Sequence, residues 1–291
     1  MKNYSKKTAY LTSAKFAEKT PGMVILRKGN EKVLLSLIFL LFLSCTEFIA
    51  DPDLQEDWLI SENQHFVLHY RPGGFSESPS PTPSRVNEIM ANQAFYYAMI
   101  LDSIKQNFNE KVLIYLFNKD EAGDHIGTSG GGHSIPKLNT FYFSYLAEKR
   151  NYTDKYGIED PPLGAHELVH VITHRTLGYP GTKLMSEGYA NWLDGGYSSC
   201  RIEEIVKSYR DKNPEKILTP GEFLQNPEIQ EQVYYPNVGI FIRFLIQRYG
   251  VTKINRLFPV RKENFVKVFE STCGEQWSEM GDEYQQFIEK L

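Results

Sequence analysis

The sequence predicts an α+β protein with its strands early in the chain and a second half that is almost wholly helical. Three observations predict it. Short apolar runs bounded by turn-forming residues stand at "HFVLHYR" (His65–Arg71), "KVLIYLF" (Lys111–Phe117) and "NTFYFSY" (Asn139–Tyr145). A long stripe at helical spacing lies between the first and second of these. From Leu163 onward nearly every periodic segment is helical. Strands with helices, then helices alone, suit a small N-terminal β-sheet lobe and a mostly helical C-terminal lobe in one folded unit. The 291 residues suffice for one large domain, and a composition of 41% hydrophobic residues, with 13% aromatic, suffices for its core.

The chain opens on a targeting segment rather than a folded element. "KVLLSLIFLLFLSC" runs from Lys32 to Cys45, and Val33–Ser44 is apolar apart from two serines. A spanning helix needs roughly 20 apolar residues, so this run fits the core of a signal peptide behind Arg27, Lys28 and Lys32. "LFLSC" resembles a bacterial lipobox, with Phe42 where leucine is usual, which makes Cys45 the lipidated first residue of the mature chain. Residues 1–44 are thus read as a signal peptide whose natural start is Met23, since "MVILRKGNEKVLLSLIFLLFLSC" has the proportions of one. Residues 45–57 are an acidic tether without periodicity, and 58–291 the folded domain. This places the protein in a bacterial cell envelope, anchored to a membrane and facing the periplasm or exterior.

Charge sharpens the picture. The net charge is −4, but residues 1–44 hold eight Lys/Arg and two Asp/Glu, which leaves 24 against 34 in the rest. Nothing there recommends nucleic acid as a partner. Cys200 and Cys273 either pair in this oxidising compartment or stand as two free core thiols. Neither has a base nearby in sequence, which disfavours a thiol enzyme.

Within the domain, "RPGGFSESPSPTPS" (71–84) reads as a mobile loop. A helix follows from Pro83 to about Phe108, with Val86, Ile89, Met90, Tyr97, Ile100, Leu101 and Ile104 on one stripe. "GTSGGGHS" (127–134) reads as a flexible glycine-rich segment, and it lacks the Lys-Ser/Thr ending of a phosphate loop. Further helices are expected at Val238–Tyr249, about Asn264–Ser271 and Glu275–Leu291.

The chemistry sits in "AHELVHVITHRTLGYPGTKLMSEGYANWLDGG" (165–196). His166 and His170 are four apart and share a helix face, outside the stripe of Ala165, Leu168, Val169 and Ile172 that packs the helix. Two imidazoles on one face can reach one ion, and Glu167 stands beside it. A catalytic zinc needs a third protein ligand and an open position. Glu187 supplies one, on a helix that follows the turn "GYPG". His174 shares the face but lies a turn too far, and is read as a packing or supporting residue, or as solvated.

"HELVHVITHRTLG" followed by "LMSEGYANWLDG" resembles the gluzincin metallopeptidases, most closely their peptidase MA-like branch. The metzincin pattern is excluded, because Thr173 and Thr176 stand where it requires Gly and His. The resemblance spans roughly His65 to Leu291 and implies a zincin-like fold and a zinc-dependent peptidase acting on peptide or protein substrates. It implies His166, His170 and Glu187 as metal ligands and Glu167 as the general base. It also implies a tyrosine donor for the oxyanion in "VYYPNVGIFIRFLIQRYG", with Tyr235 preferred to Tyr234. Asn191 and Asp194 are implied as residues supporting the ligands, and "NTFYFSY" as the edge strand on which a peptide lies. The competing reading is an envelope scaffold lipoprotein that keeps the fold without turnover, but a scaffold has no chemical need for all four of His166, Glu167, His170 and Glu187.

Overall fold

One mixed sheet and the helices packed on it bring the two metal-type helices together. The computed structural model describes residues 58–71, 81–118, 131–145, 152–225 and 228–291. The signal segment with Met23, the tether and Cys45 lie outside the described residues, as does most of the 71–84 loop. The strands are β1 (Leu59–Glu62), β2 (Phe66–Tyr70), β3 (Val112–Asn118), β4 (Gly132–Ile135) and β5 (Thr140–Tyr145), in the order β1-β2-β3-β5-β4. β2, β3 and β5 are parallel, with β1 and β4 antiparallel at the edges.

Parallel neighbours need a crossover, and α1 (Pro83–Ile104) supplies it between β2 and β3. Pro83 stands in its first turn, and the Thr82 hydroxyl accepts the Arg85 amide at 3.2 Å. The helix stops at Ile104, short of the expected Phe108, because Lys105 adopts a left-handed conformation at φ 53°. Its buried face carries Val86, Ile89, Met90, Tyr97, Ile100 and Ile104, while Leu101 is only half-buried.

Two strand expectations are corrected. "NTFYFSY" is not the edge strand: β5 lies between β3 and β4, and all six of its residues are buried. An unbroken apolar run is what a strand covered on both faces requires, whereas an edge strand alternates or breaks. The edge belongs instead to β4, which takes its first three residues from the end of the glycine-rich segment and its fourth from Ile135. Pairing with β5 orders "GHSI" despite its composition, in register His133 opposite Tyr142.

The remainder is helical apart from a small hairpin. It comprises α2 (His166–Leu177), α3 (Lys183–Asp194), the hairpin strands β6 (Gly196–Tyr197) and β7 (Cys200–Arg201), α4 (Ile202–Lys212), α5 (Pro220–Gln225), α6 (Glu231–Tyr249), α7 (Val251–Leu257), α8 (Lys262–Cys273) and α9 (Met280–Glu289). The hairpin was not signalled by the sequence, since Ser198 and Ser199 take left-handed conformations that Asn-Gly would advertise. α6 starts seven residues before the expected Val238 and tolerates Pro236 inside it. The amide that Pro236 lacks would have bonded the Gln232 carbonyl; the Tyr209 hydroxyl bonds that carbonyl instead, at 2.9 Å.

α3 and α6 cross closely at Gly188, where a Cβ would stand 2.3 Å from Ile242 Cγ1. One continuous core joins the sheet's inner face to α1, α2, α3 and α6. Tyr115, Phe117 and Tyr142 form a second cluster with Trp58 packed against it.

Candidate metal centre

α2 and α3 are antiparallel neighbours in sequence, linked by the short turn 178–182, and the centre lies between them. Each is started by a different device. The Thr182 hydroxyl caps α3 by accepting the Met185 amide at 3.2 Å. α2 has no cap of its own; the Ala165 amide donates to Asp194 Oδ1, 2.6 Å away at the far end of α3. Asp194 thereby ties the end of one helix to the start of the other. Leu168, Val169, Val171 and Ile172 are fully buried and fix the rotation of α2, which turns His166 and His170 toward α3.

The three candidate ligands converge. The Nε2 atoms of His166 and His170 are 3.2 Å apart. Glu187 Oε2 is 3.4 Å from the first and 3.7 Å from the second. Donor atoms about 2.0–2.1 Å from a tetrahedral zinc stand about 3.3 Å from one another, so the spacing suits that ion. Two further observations agree. Glu187 Oε2 is buried without a hydrogen-bond partner, and two nitrogens with one carboxylate oxygen form the donor set of a catalytic zinc. The three residues present therefore fit a metal ion.

Their electrostatics tell the same story. Burial works against a charged His166, but Glu187 beside it, with Glu167 and Asp194, pushes its pKa up to about 9. Burial likewise works against an ionised Glu187, and the His166 and His170 imidazoles outweigh it, holding the carboxyl far below its usual range. Without a metal, these interactions favour a protonated His166 beside an ionised Glu187.

Glu167 lines the adjoining cavity beside His166. The edge strand β4 comes against it: a Cβ on Gly132 would be 2.5 Å from Glu167 Cγ. Only glycine allows that approach, a requirement the "GGGHS" run gave no means of assigning to one position. The cavity measures about 720 Å³ and is walled by Gly132, Phe143, Tyr152, Tyr197 and Tyr235 among others. The Tyr152 hydroxyl faces no hydrogen-bond partner.

The remaining expected residues separate. His174 does not join the triad: its ring packs against His170, Tyr179 and Phe258, with centroids 5.8, 5.6 and 5.9 Å away, and burial pushes its pKa down to about 4. It is a neutral packing residue rather than a solvated one. Asn191 is fully buried and lines the cavity; its Nδ2 donates to the Glu187 carbonyl at 2.8 Å and its Oδ1 has no partner. Of the two tyrosines, Tyr234 is buried, with its hydroxyl 3.3 Å from the Phe223 carbonyl. Tyr235 stacks on His166 at 6.1 Å and 26°, and its hydroxyl reaches Glu231 Oε1 at 3.3 Å.

A residue that sequence reasoning missed completes the centre. Ser186 Oγ lies 3.3 Å from His170 Nδ1, the nitrogen opposite the one that faces the triad. Cys200 is exposed, Cys273 is buried, and both are unpaired. Among the described residues no helix is long and apolar enough to cross a membrane. No protein-family model matches the chain, and no curated protein does.

Proposed function

We propose that the chain is a zinc-dependent peptidase of the gluzincin type, built on a zincin-like fold and held to a bacterial envelope membrane by lipid on Cys45. One observation carries this reading. His166, His170 and Glu187 present three donor atoms at tetrahedral spacing, and Glu167 stands next to them on a cavity of a size that holds a short peptide segment.

Zinc there would supply Lewis acidity, bringing the pKa of water to about 7 and polarising a carbonyl. The chain's own residues do the rest. Glu167 accepts the proton of the attacking water and passes it to the leaving amine. The Tyr235 hydroxyl donates to the developing oxyanion once it leaves Glu231. Ser186 holds the His170 ring in orientation, and Asn191 braces the main chain of α3 at Glu187. β4, an edge strand among the described residues, runs beside Glu167 and would take an extended peptide.

The test is metal content and turnover measured together. Purified chain should hold one zinc, and His166→Ala should lose it. Glu167→Gln should keep zinc and lose about 10²–10⁴-fold in turnover, mainly in kcat. Tyr235→Phe should cost on the order of 10²–10³-fold. A metal-free preparation whose stability and metal response are unaltered by His166→Ala would overturn the metal site. Zinc-loaded wild type that cleaves nothing across a broad peptide library would favour the scaffold reading.

A further inference from the structure

The carboxylates around the cavity are not equivalent. Glu167, Asp154, Asp194 and Glu231 all line it, and among the described lining residues there is no lysine or arginine. Three of the four are already committed. Asp154 accepts the Tyr96 hydroxyl at 2.7 Å and the amides of Tyr156 and Ile158 at 2.9 and 2.8 Å. Asp194 holds the Ala165 amide at 2.6 Å, and Glu167 serves the proton transfer. Glu231 differs: it is exposed, in the first turn of α6, and it accepts a single long bond of 3.3 Å from the Tyr235 hydroxyl.

A second observation points the same way. Asn191 Oδ1 is an acceptor on a fully buried residue that lines this cavity, and it has no donor. His166 is the cationic end of this cavity, but at the other end Lys183 Nζ lies over the Tyr235 ring, 5.4 Å from its centroid, and Glu231 has no ion pair among the described residues, which suits a ligand that brings N–H donors and positive charge there.

The bond that Glu231 does make has a consequence. The Tyr235 ring lies along His166, so its hydroxyl is held at the rim by Glu231 while the ring stays at the centre. A cationic donor adds an ion pair to the hydrogen bond it makes with a carboxylate, which a neutral hydroxyl cannot, and so competes with Tyr235 for Glu231. We infer that Glu231 is a specificity-determining and positioning residue: it receives an ammonium or guanidinium group of the peptide, and so releases the Tyr235 hydroxyl toward the reacting carbonyl. This rests on the peptidase reading. The cation can be a lysine or arginine side chain or a free N-terminal amine, which share the same chemistry.

The experiment uses the zinc-loaded full chain and matched peptides with Lys or Gln at one position, each with a free or acetylated N-terminus. Binding is measured to the Glu167→Gln protein, so that turnover is not needed. The cationic member should bind on the order of 5- to 10-fold tighter. That preference should vanish in Glu167→Gln/Glu231→Gln and return in part in Glu167→Gln/Glu231→Asp. Loss of preference on acetylation alone assigns the cation to the N-terminus, and its loss on Lys→Gln alone to a side chain. In the active background, Glu231→Gln should raise KM for the cationic peptide and raise kcat for the neutral one, whose turnover no longer waits on Tyr235. Equal binding of charged and neutral peptides, or an equal fall in both rates in Glu231→Gln, overturns the inference. Charge-selective binding with no cleavage by wild type overturns the peptidase reading and leaves the role of Glu231 standing.

Discussion

Zinc should enter this centre by evicting a proton, and the size of that competition follows from the electrostatics of the triad. In the metal-free chain His166 has its pKa pushed up to about 9, while Glu187 is held ionised. The two share one proton, and the macroscopic value belongs to the centre rather than to one ring. At pH 7, two units below 9, an incoming cation faces a cost of about 2–3 kcal/mol for its removal, at roughly 1.4 kcal/mol per unit. Loss of this proton should therefore make apparent zinc affinity rise by an extra factor of nearly ten per pH unit from 7 toward 9, beyond the rise that ionisation of zinc-bound water gives, and this extra slope should vanish above 9. Calorimetric titration at pH 7 in buffers of differing ionisation enthalpy should show about one proton per zinc from this pair, in addition to the proton that zinc-bound water gives up near pH 7, and the pair's share should fall toward none above pH 9. The sign for the metal-free fold is the opposite. A raised histidine pKa stabilises the folded state fully below its unfolded value near 6.5 and loses that contribution as pH climbs through about 9. Metal-free chain should thus weaken across this window while zinc-loaded chain does not. Affinity that is flat between pH 7 and 9, with no proton release, would refute the shared proton and with it the pairing of His166 with Glu187.

Three further perturbations probe other levels of the structure. Asp194→Ala removes the acceptor that starts α2 and should cost about 1–3 kcal/mol, read as a lower midpoint in chemical denaturation, with weaker zinc binding because His166 loses a supporting charge. Gly188→Ala gains roughly 1 kcal/mol in helix propensity but forces α3 off Ile242, an overpacking worth about 1–3 kcal/mol, so the net effect is destabilising or at best neutral; a clear rise in melting temperature would contradict the close crossing. Cys45→Ala should release the protein from membranes or leave the precursor uncleaved, and wild type recovered soluble with residues before 45 intact would remove the anchor from the proposal.

What the sequence disclosed and what it withheld divide along a physical line. Local periodicity disclosed α2 and α3, because four-residue spacing puts His166 and His170 on one face whatever surrounds them. It also disclosed β2, β3 and β5, whose apolar runs bury their side chains wherever they pair. Which strand is the edge depends on pairing between distant segments, and no local pattern encodes it; "GHSI" becomes β4 only because β5 leaves one side open. The same holds at the centre. The candidate ligands were legible as a motif, but their supports act across elements: Asp194 reaches back 29 residues to the Ala165 amide, and Ser186 reaches 16 to the ring of His170. Tyr234 and Tyr235 are adjacent and chemically identical, so only the rotation of α6 separates them. That rotation is fixed by Gly188 against Ile242 and by Tyr209 covering the gap at Pro236, contacts with no counterpart in either tyrosine's neighbourhood in sequence. The rotation that stacks Tyr235 on His166 also brings Glu231, one turn earlier, to the cavity rim. A motif search stops at the ligands; the residue proposed to choose the substrate is found only by asking what each ligand's neighbour is bonded to.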